Sequence, residues 1–161
     1  LPALVCHLPN LRLHVIDSGP MEYWLRNRVR VLGLTTYVGF LGWQPHAVVL
    51  REMASAELVV VPSDGEGFGL VVAEALVCGA PLLVSDIRVF HEIIDRFSGR
   101  GGCFAKGDRC SLVEKMNIML SKNTSATILS NAISDEELVS LSSEAMAETY
   151  LHLYKNLDCG K

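Results

Sequence analysis

Short apolar runs alternate with stretches of helical period along the first 120 or so positions. Strands are predicted at residues 11–16, 37–41, 58–61, 82–85 and near 102–105. Helices are predicted from about Met21, around 46–54, over 70–78 and 89–96, and from Ser111 onward. Ser134 followed by Glu137 reads as a capping box opening a last long helix to about residue 157. This alternation implies an α/β fold with a parallel sheet covered on both faces, and in such sheets ligands sit beyond the carboxyl ends of the strands. Residues 17–20, Gly42 and residues 65–69 all fall at such ends.

Composition narrows the classes without choosing a function. A chain of 161 residues, half of them apolar, suits one domain with a sizeable core. No apolar run reaches membrane-spanning length, and the N-terminus lacks the order of a secretory signal. The formal charge of −4, with no cluster of lysines or arginines, argues against a nucleic-acid groove. Cys6, Cys78, Cys103, Cys110 and Cys159 form no CxxC pair, so they read as reduced thiols of a cytosolic chain, and the metal reading is poor.

The chemistry concentrates in residues 59–86. The helix at 70–78 is apolar at every position except Glu74, which predicts a buried helix holding one carboxylate. Such a group needs donors. No lysine or arginine lies between Arg51 and Arg88, so the donors come from a distant segment or from a ligand, for which a ribose diol is suited. The plainer alternative is a helix-end carboxylate reaching solvent or a backbone amide. Ahead of the helix, Gly65, Gly67 and Gly69 permit positive φ and leave the main chain open to close approach. The first amides of the helix, with its dipole, then suit a pyrophosphate. Alternating glycines after a strand also occur in plain tight turns.

Glu66 and Glu74 stand with seven residues between them, and Pro62-Ser63, Glu66-Gly67-Phe68-Gly69-Leu70, Glu74-Ala75 and Gly79-x-Pro81 follow in order. This segment resembles the E-x7-E signature of the retaining glycosyltransferases of group 1, family four. The resemblance extends upstream to residues 10–20 and 38–42, and downstream to Glu92 and residues 102–108, so it covers nearly the whole chain. It implies a Rossmann-like, doubly wound parallel sheet, the C-terminal, donor-binding half of a GT-B fold. Residues 1–161 are accordingly expected to form a single nucleotide-sugar-binding domain, a fragment of a longer two-domain enzyme. By the resemblance, Glu66 is the catalytic-site carboxylate contacting donor-sugar hydroxyls, and Gly67 and the amides of Phe68 and Gly69 line that sugar. Leu70 and Val71 offer amides to the diphosphate, Glu74 holds the ribose, Gly19 lies in the turn beside the nucleotide, and Phe40, Leu41 and Gly42 border the base.

No metal and no cofactor is implied, since there is no DxD pair; the substrate is a nucleoside-diphosphate sugar of UDP or GDP type. The acceptor, a glycan, lipid or small molecule, would bind the other domain of a parent that is cytoplasmic, with peripheral membrane attachment left open. Two departures from the family pattern carry weight. Asp17 and Ser18 replace the usual Gly-Asp ahead of Gly19-Pro20, and the family's first strand, with its phosphate-binding arginine and lysine, is absent from this sequence. Losing that central strand is expected to leave open strand edges mid-sheet, and hence an inactive isolated chain that associates or belongs to a larger one. The alternatives are a noncatalytic binding or scaffolding module and a GT-B-type epimerase or phosphorylase. His46, after Pro45 at a helix start, reads as a cap or surface residue; His7, His14, His91 and His152 match no site pattern, and Trp43 reads either as a residue stacking on a base or as a rim or packing residue.

Overall fold

The computed structural model describes residues 1–96, 101–121, 147, 148 and 151. The elements run α1 (Pro2–Val5), β1 (Leu13–Ile16), α2 (Glu22–Val31), β2 (Val38–Gly42), α3 (His46–Ser55), β3 (Val59–Val61), α4 (Leu70–Val77), β4 (Leu82–Ser85), α5 (Arg88–Arg96), β5 (Gly101–Phe104) and α6 (Arg109–Leu120). The alternation expected from the sequence is therefore present, with shifts of one or two residues at the ends. The Ser134–Glu137 box lies outside the described residues, as do His152, Cys159 and all of the last long helix except residues 147, 148 and 151.

β1 pairs with β2, and β3–β4–β5 form a second group in that order, every ladder parallel. Among the described residues β1, β2, β3 and β5 are each paired on one side only. β4 occupies the middle of its sheet, and all four of its residues are buried. That is why residues 82–84 read as a continuous apolar run instead of alternating: both faces of a central parallel strand are covered.

Because strand side chains point alternately to opposite faces, β4 divides the core in two. Leu82 and Val84 pack with Val72, Ala75 and Leu76 of α4, with Phe90 and Ile94 of α5, and with Met53 of α3. Leu83 faces the other way, against Phe104 and Met119 of α6, with Leu58 and Val60 at its margin. Helix ends follow local rules. α2 and α4 stop in the same way: Gly33 and Gly79 take φ of +67° and +69°, and the amides of Leu34 and Ala80 bond back to the carbonyls of Val29 and Ala75. α6 begins two residues earlier than expected because the Asp108 carboxylate accepts hydrogen bonds from the amides of Cys110 and Ser111 at 2.8 and 3.2 Å.

Four cysteines, Cys6, Cys78, Cys103 and Cys110, are free thiols. Cys6 and Cys110 are exposed, whereas Cys78 and Cys103 are partly buried. Burial raises the Cys78 and Cys103 thiols, helped by the nearby charges of Glu74 for the first and of Asp86 and Asp95 for the second. A higher pKa leaves less thiolate at a given pH. Iodoacetamide at neutral pH, followed by mass spectrometry, should therefore mark Cys6 and Cys110 well before Cys78 and Cys103. Equal rates at all four would contradict this placement.

Candidate functional site

The loop from Pro62 to Gly69 leaves the carboxyl end of β3 and opens α4. Of its three glycines only Gly69 takes a positive φ, +72°, so the freedom expected of all three is used once. A Cβ on Gly69 would stand 2.8 Å from Ile93 Cδ1 and 3.3 Å from the Phe90 ring. Gly69 is thus the point where the loop turns hard against α5. Gly65 and Gly67 differ: a Cβ built on either meets nothing within 4 Å.

Gly69 is the N-cap of α4 and supplies no side-chain cap. Its carbonyl accepts from the amides of Val72 and Ala73 at 3.0 and 3.1 Å. The amides of Leu70 and Val71 lie ahead of these, in the turn of a helix that has no intrahelical acceptor. Both residues are exposed and follow directly on the glycine loop.

The expectation that α4 is buried on every side fails. Only Val72, Ala75 and Leu76 reach the core, whereas Leu70, Val71 and Val77 are 62%, 46% and 47% exposed. An eight-residue helix touching one sheet face can bury only one stripe, and its remaining apolar residues stay uncovered. Glu74 lies on the flank of that stripe. Its side chain is 32% exposed, and Oε1 is 3.0 Å from Nε2 of His46, the first residue of α3. The donor missing from the local sequence therefore comes from a segment 28 residues away, which sequence reading had assigned only a cap or surface role. The signal was thin: a lone histidine after a proline.

Glu66 is exposed, and its Oε1 accepts a hydrogen bond from Ser63 Oγ at 3.0 Å, within its own loop. Phe68 is 53% exposed. Among the described residues no hydrogen bond or ion pair joins Glu66 to Glu74. At the ends of β1 and β2 the structure does bring predicted residues together. The Asp17 amide donates to the Gly42 carbonyl at 2.8 Å, and the Gln44 side chain donates to the Leu41 carbonyl at 2.7 Å. Asp17 has φ of +81°, an uncommon conformation that aspartate tolerates, and its carboxylate accepts from the Ser18 amide. The turn leading to Gly19 is thus kept without a glycine at position 17.

Phe40 is placed differently from the rest. Its ring lies under the Arg26 guanidinium, 4.5 Å to the centroid, and lines an apolar cavity of about 220 Å³ between α2 and the β1–β2 pair. Glu66, Gly69 and Glu74 do not line that cavity. Any role for Phe40 at the strand ends falls to its backbone. Trp43 is 73% exposed, in keeping with a rim position. His91 and Glu92 point apart, as adjacent helical residues should: His91 meets Asp86 and Cys103, and Glu92 pairs with Arg88.

With this geometry in view, comparison with known proteins is informative. Residues 2–135 match the family model described as glycosyl transferases group 1. The chain belongs to this family. Among its relatives is the phosphatidyl-myo-inositol mannosyltransferase of Mycobacterium leprae, 28% identical over 121 residues, which cover 74% of this chain and 31% of that protein. The fold superposes on sucrose-phosphate synthase from Thermosynechococcus elongatus with a TM-score of 0.78 at 23% identity, covering 99% of this chain and 42% of that one. It also superposes on the Anabaena protein HepE in complex with UDP-glucose, at a TM-score of 0.71 and 25% identity, covering 89% and 42%. The group 1 chain thus corresponds to the Rossmann-like portion of GT-B glycosyltransferases, and it spans only 12% to 31% of the length of the curated relatives it matches. Among the described residues no helix is long and apolar enough to cross a membrane.

Proposed function

We propose that the group 1 chain is the donor-binding part of a retaining glycosyltransferase, taking a hexose from a nucleoside-diphosphate sugar to an acceptor hydroxyl. The observation that carries this reading is the opening of α4. The amides of Leu70 and Val71 have no intrahelical acceptor and follow directly on the glycine loop, in the same short helix that carries the Glu74 carboxylate. Among the described residues nothing requires glycine at 65 or 67, because a Cβ there would meet no neighbour within 4 Å. Close approach of a ligand to the backbone accounts for both. The complex of HepE with UDP-glucose supports a donor of this class.

In this reading the diphosphate lies on the helix N-terminus, where amides and dipole favour negative charge. As the glycosidic bond to the phosphate breaks, charge grows on the leaving diphosphate, and donors already in position stabilise it without reorganising. No divalent cation takes part, so EDTA should leave donor affinity unchanged. Glu74 accepts from the ribose hydroxyls, Glu66 accepts from hydroxyls of the sugar, and the backbone at Gly19, Leu41 and Gly42 borders the nucleotide. Gly67, Phe68 and Gly69 line the sugar.

Calorimetry with UDP, GDP and UDP-glucose tests these assignments. Glu74→Ala is expected to weaken nucleotide binding roughly 10- to 100-fold, the value of a lost hydrogen bond to a charged group. Glu66→Ala should leave UDP affinity nearly unchanged and reduce the advantage of the sugar nucleotide over UDP. Identical affinities for wild type and Glu74→Ala would refute the assignment. For the stereochemical part, NMR of the product made by the complete enzyme should show the donor's anomeric configuration retained, and inversion would remove it.

A further inference from the structure

The contact between His46 and Glu74 has no part in the family resemblance, and it joins α3 to α4 at residues 28 apart in sequence. His46 is the first residue of α3, held there by Pro45, whose extended backbone (φ −56°, ψ 143°) ends the preceding loop. Val49 and Leu50, on the following turn of α3, pack against the α4 and β4 core, so the helix is fixed relative to Glu74 and His46 extends from a rigid base. The imidazole is 67% exposed, whereas the carboxylate is 32% exposed. Here the histidine occupies one oxygen of the carboxylate, Oε1, and Oε2 remains for another donor.

A glutamate has three side-chain torsions, and on a helix surface an unanchored carboxylate samples many positions. Holding one oxygen removes most of that freedom before a ligand arrives, which is how preorganisation raises affinity. The neighbours of Glu74 provide no substitute: the flanking helical residues Ala73, Ala75 and Val77 carry no donor side chain, and Cys78, one turn on, gives its thiol to the Leu50 carbonyl at 3.5 Å.

We infer that His46 is a positioning residue for ligand binding: its Nε2 fixes the Glu74 carboxylate so that the remaining oxygen accepts from a vicinal diol of the ligand. This rests on the donor-site reading above, since it assigns Glu74 to the ribose. It adds that the diol contact depends on a residue from a different helix, and that ligands without the diol will not register its loss.

The test is calorimetric titration of the full-length protein with UDP and with 2′,3′-dideoxy-UDP, for wild type, His46→Ala, His46→Gln and Glu74→Ala. Glutamine can place an amide donor close to where Nε2 stands, so it should preserve the contact. His46→Ala is expected to weaken UDP about fivefold to tenfold, the range of one lost hydrogen bond to a charged group reduced by solvent exposure. His46→Gln should stay within about twofold of wild type. For dideoxy-UDP all four proteins should bind alike. If Glu74→Ala weakens UDP while His46→Ala does not, the positioning role is overturned and the donor site stands. If His46→Ala weakens UDP and dideoxy-UDP equally, the histidine acts on the fold and the inference is again overturned. If Glu74→Ala binds UDP as wild type does, the donor-site reading fails and this inference falls with it.

Discussion

Replacing Phe90 with alanine is expected to lower the free energy of unfolding by about 3–5 kcal/mol, the range for truncating a fully buried phenylalanine. Phe90 has no exposed surface and is the largest of the fully buried side chains. It sits among Val72 and Leu76 of α4 and Leu82 and Val84 of β4, and its ring also lies against Gly69. The surrounding strand and helices are fixed by their own hydrogen bonds, so they cannot close over the space left behind. Urea denaturation followed by circular dichroism would measure the loss. A change below about 1 kcal/mol would mean that this part of the core is far less tightly packed than the burial of Phe90 indicates. Because the same ring supports the loop before α4, the variant should also bind nucleotide less well if the donor-site proposal holds.

Gly69→Ala is the second large effect, and its cause is different. The position has φ of +72°, a left-handed conformation that costs an L-residue with a side chain about 1–2 kcal/mol. The new methyl would also stand 2.8 Å from Ile93 Cδ1, and overpacking of this kind costs about 1–3 kcal/mol. Together these predict a destabilisation of about 2–5 kcal/mol. Adding Ile93→Ala removes the clash and leaves the strain. A double-mutant cycle should therefore show a favourable coupling between the two substitutions. Gly67→Ala is the internal control: its methyl meets nothing, so stability should change by no more than about 0.5 kcal/mol. Equal destabilisation at 67 and 69 would contradict the geometry of the loop.

These two predictions show why glycines that look alike in sequence differ in function. Gly69 serves the fold, turning the chain into α4 against Phe90 and Ile93. Gly65 and Gly67 have room around them, and the proposed role for both is toward a ligand. Sequence alone treats the three as one motif, because conformational freedom is a property of the residue and its use is a property of the neighbours. The ion pairs follow the same logic. Arg26–Glu22 and Arg88–Glu92 are four residues apart on their helices and could be read directly from spacing. His14–Glu52 and His46–Glu74 join residues 38 and 28 apart, and no local pattern announces them.

Local order and hydrophobic period determined most of this architecture: the β/α alternation, the fully buried β4, the helix stops at Gly33 and Gly79, and the glycine loop between β3 and α4. These depend on interactions within a few residues, on side-chain period and backbone preference, which the amino-acid order specifies by itself. The tertiary structure decided the rest. It left one side of α4 uncovered where an all-apolar run suggested burial, turned Phe40 beneath Arg26, and supplied Glu74 with a partner from another helix. Each of these outcomes depends on which surfaces meet across the sheet, and an apolar or titratable side chain carries no record of its distant neighbour until packing brings the two together.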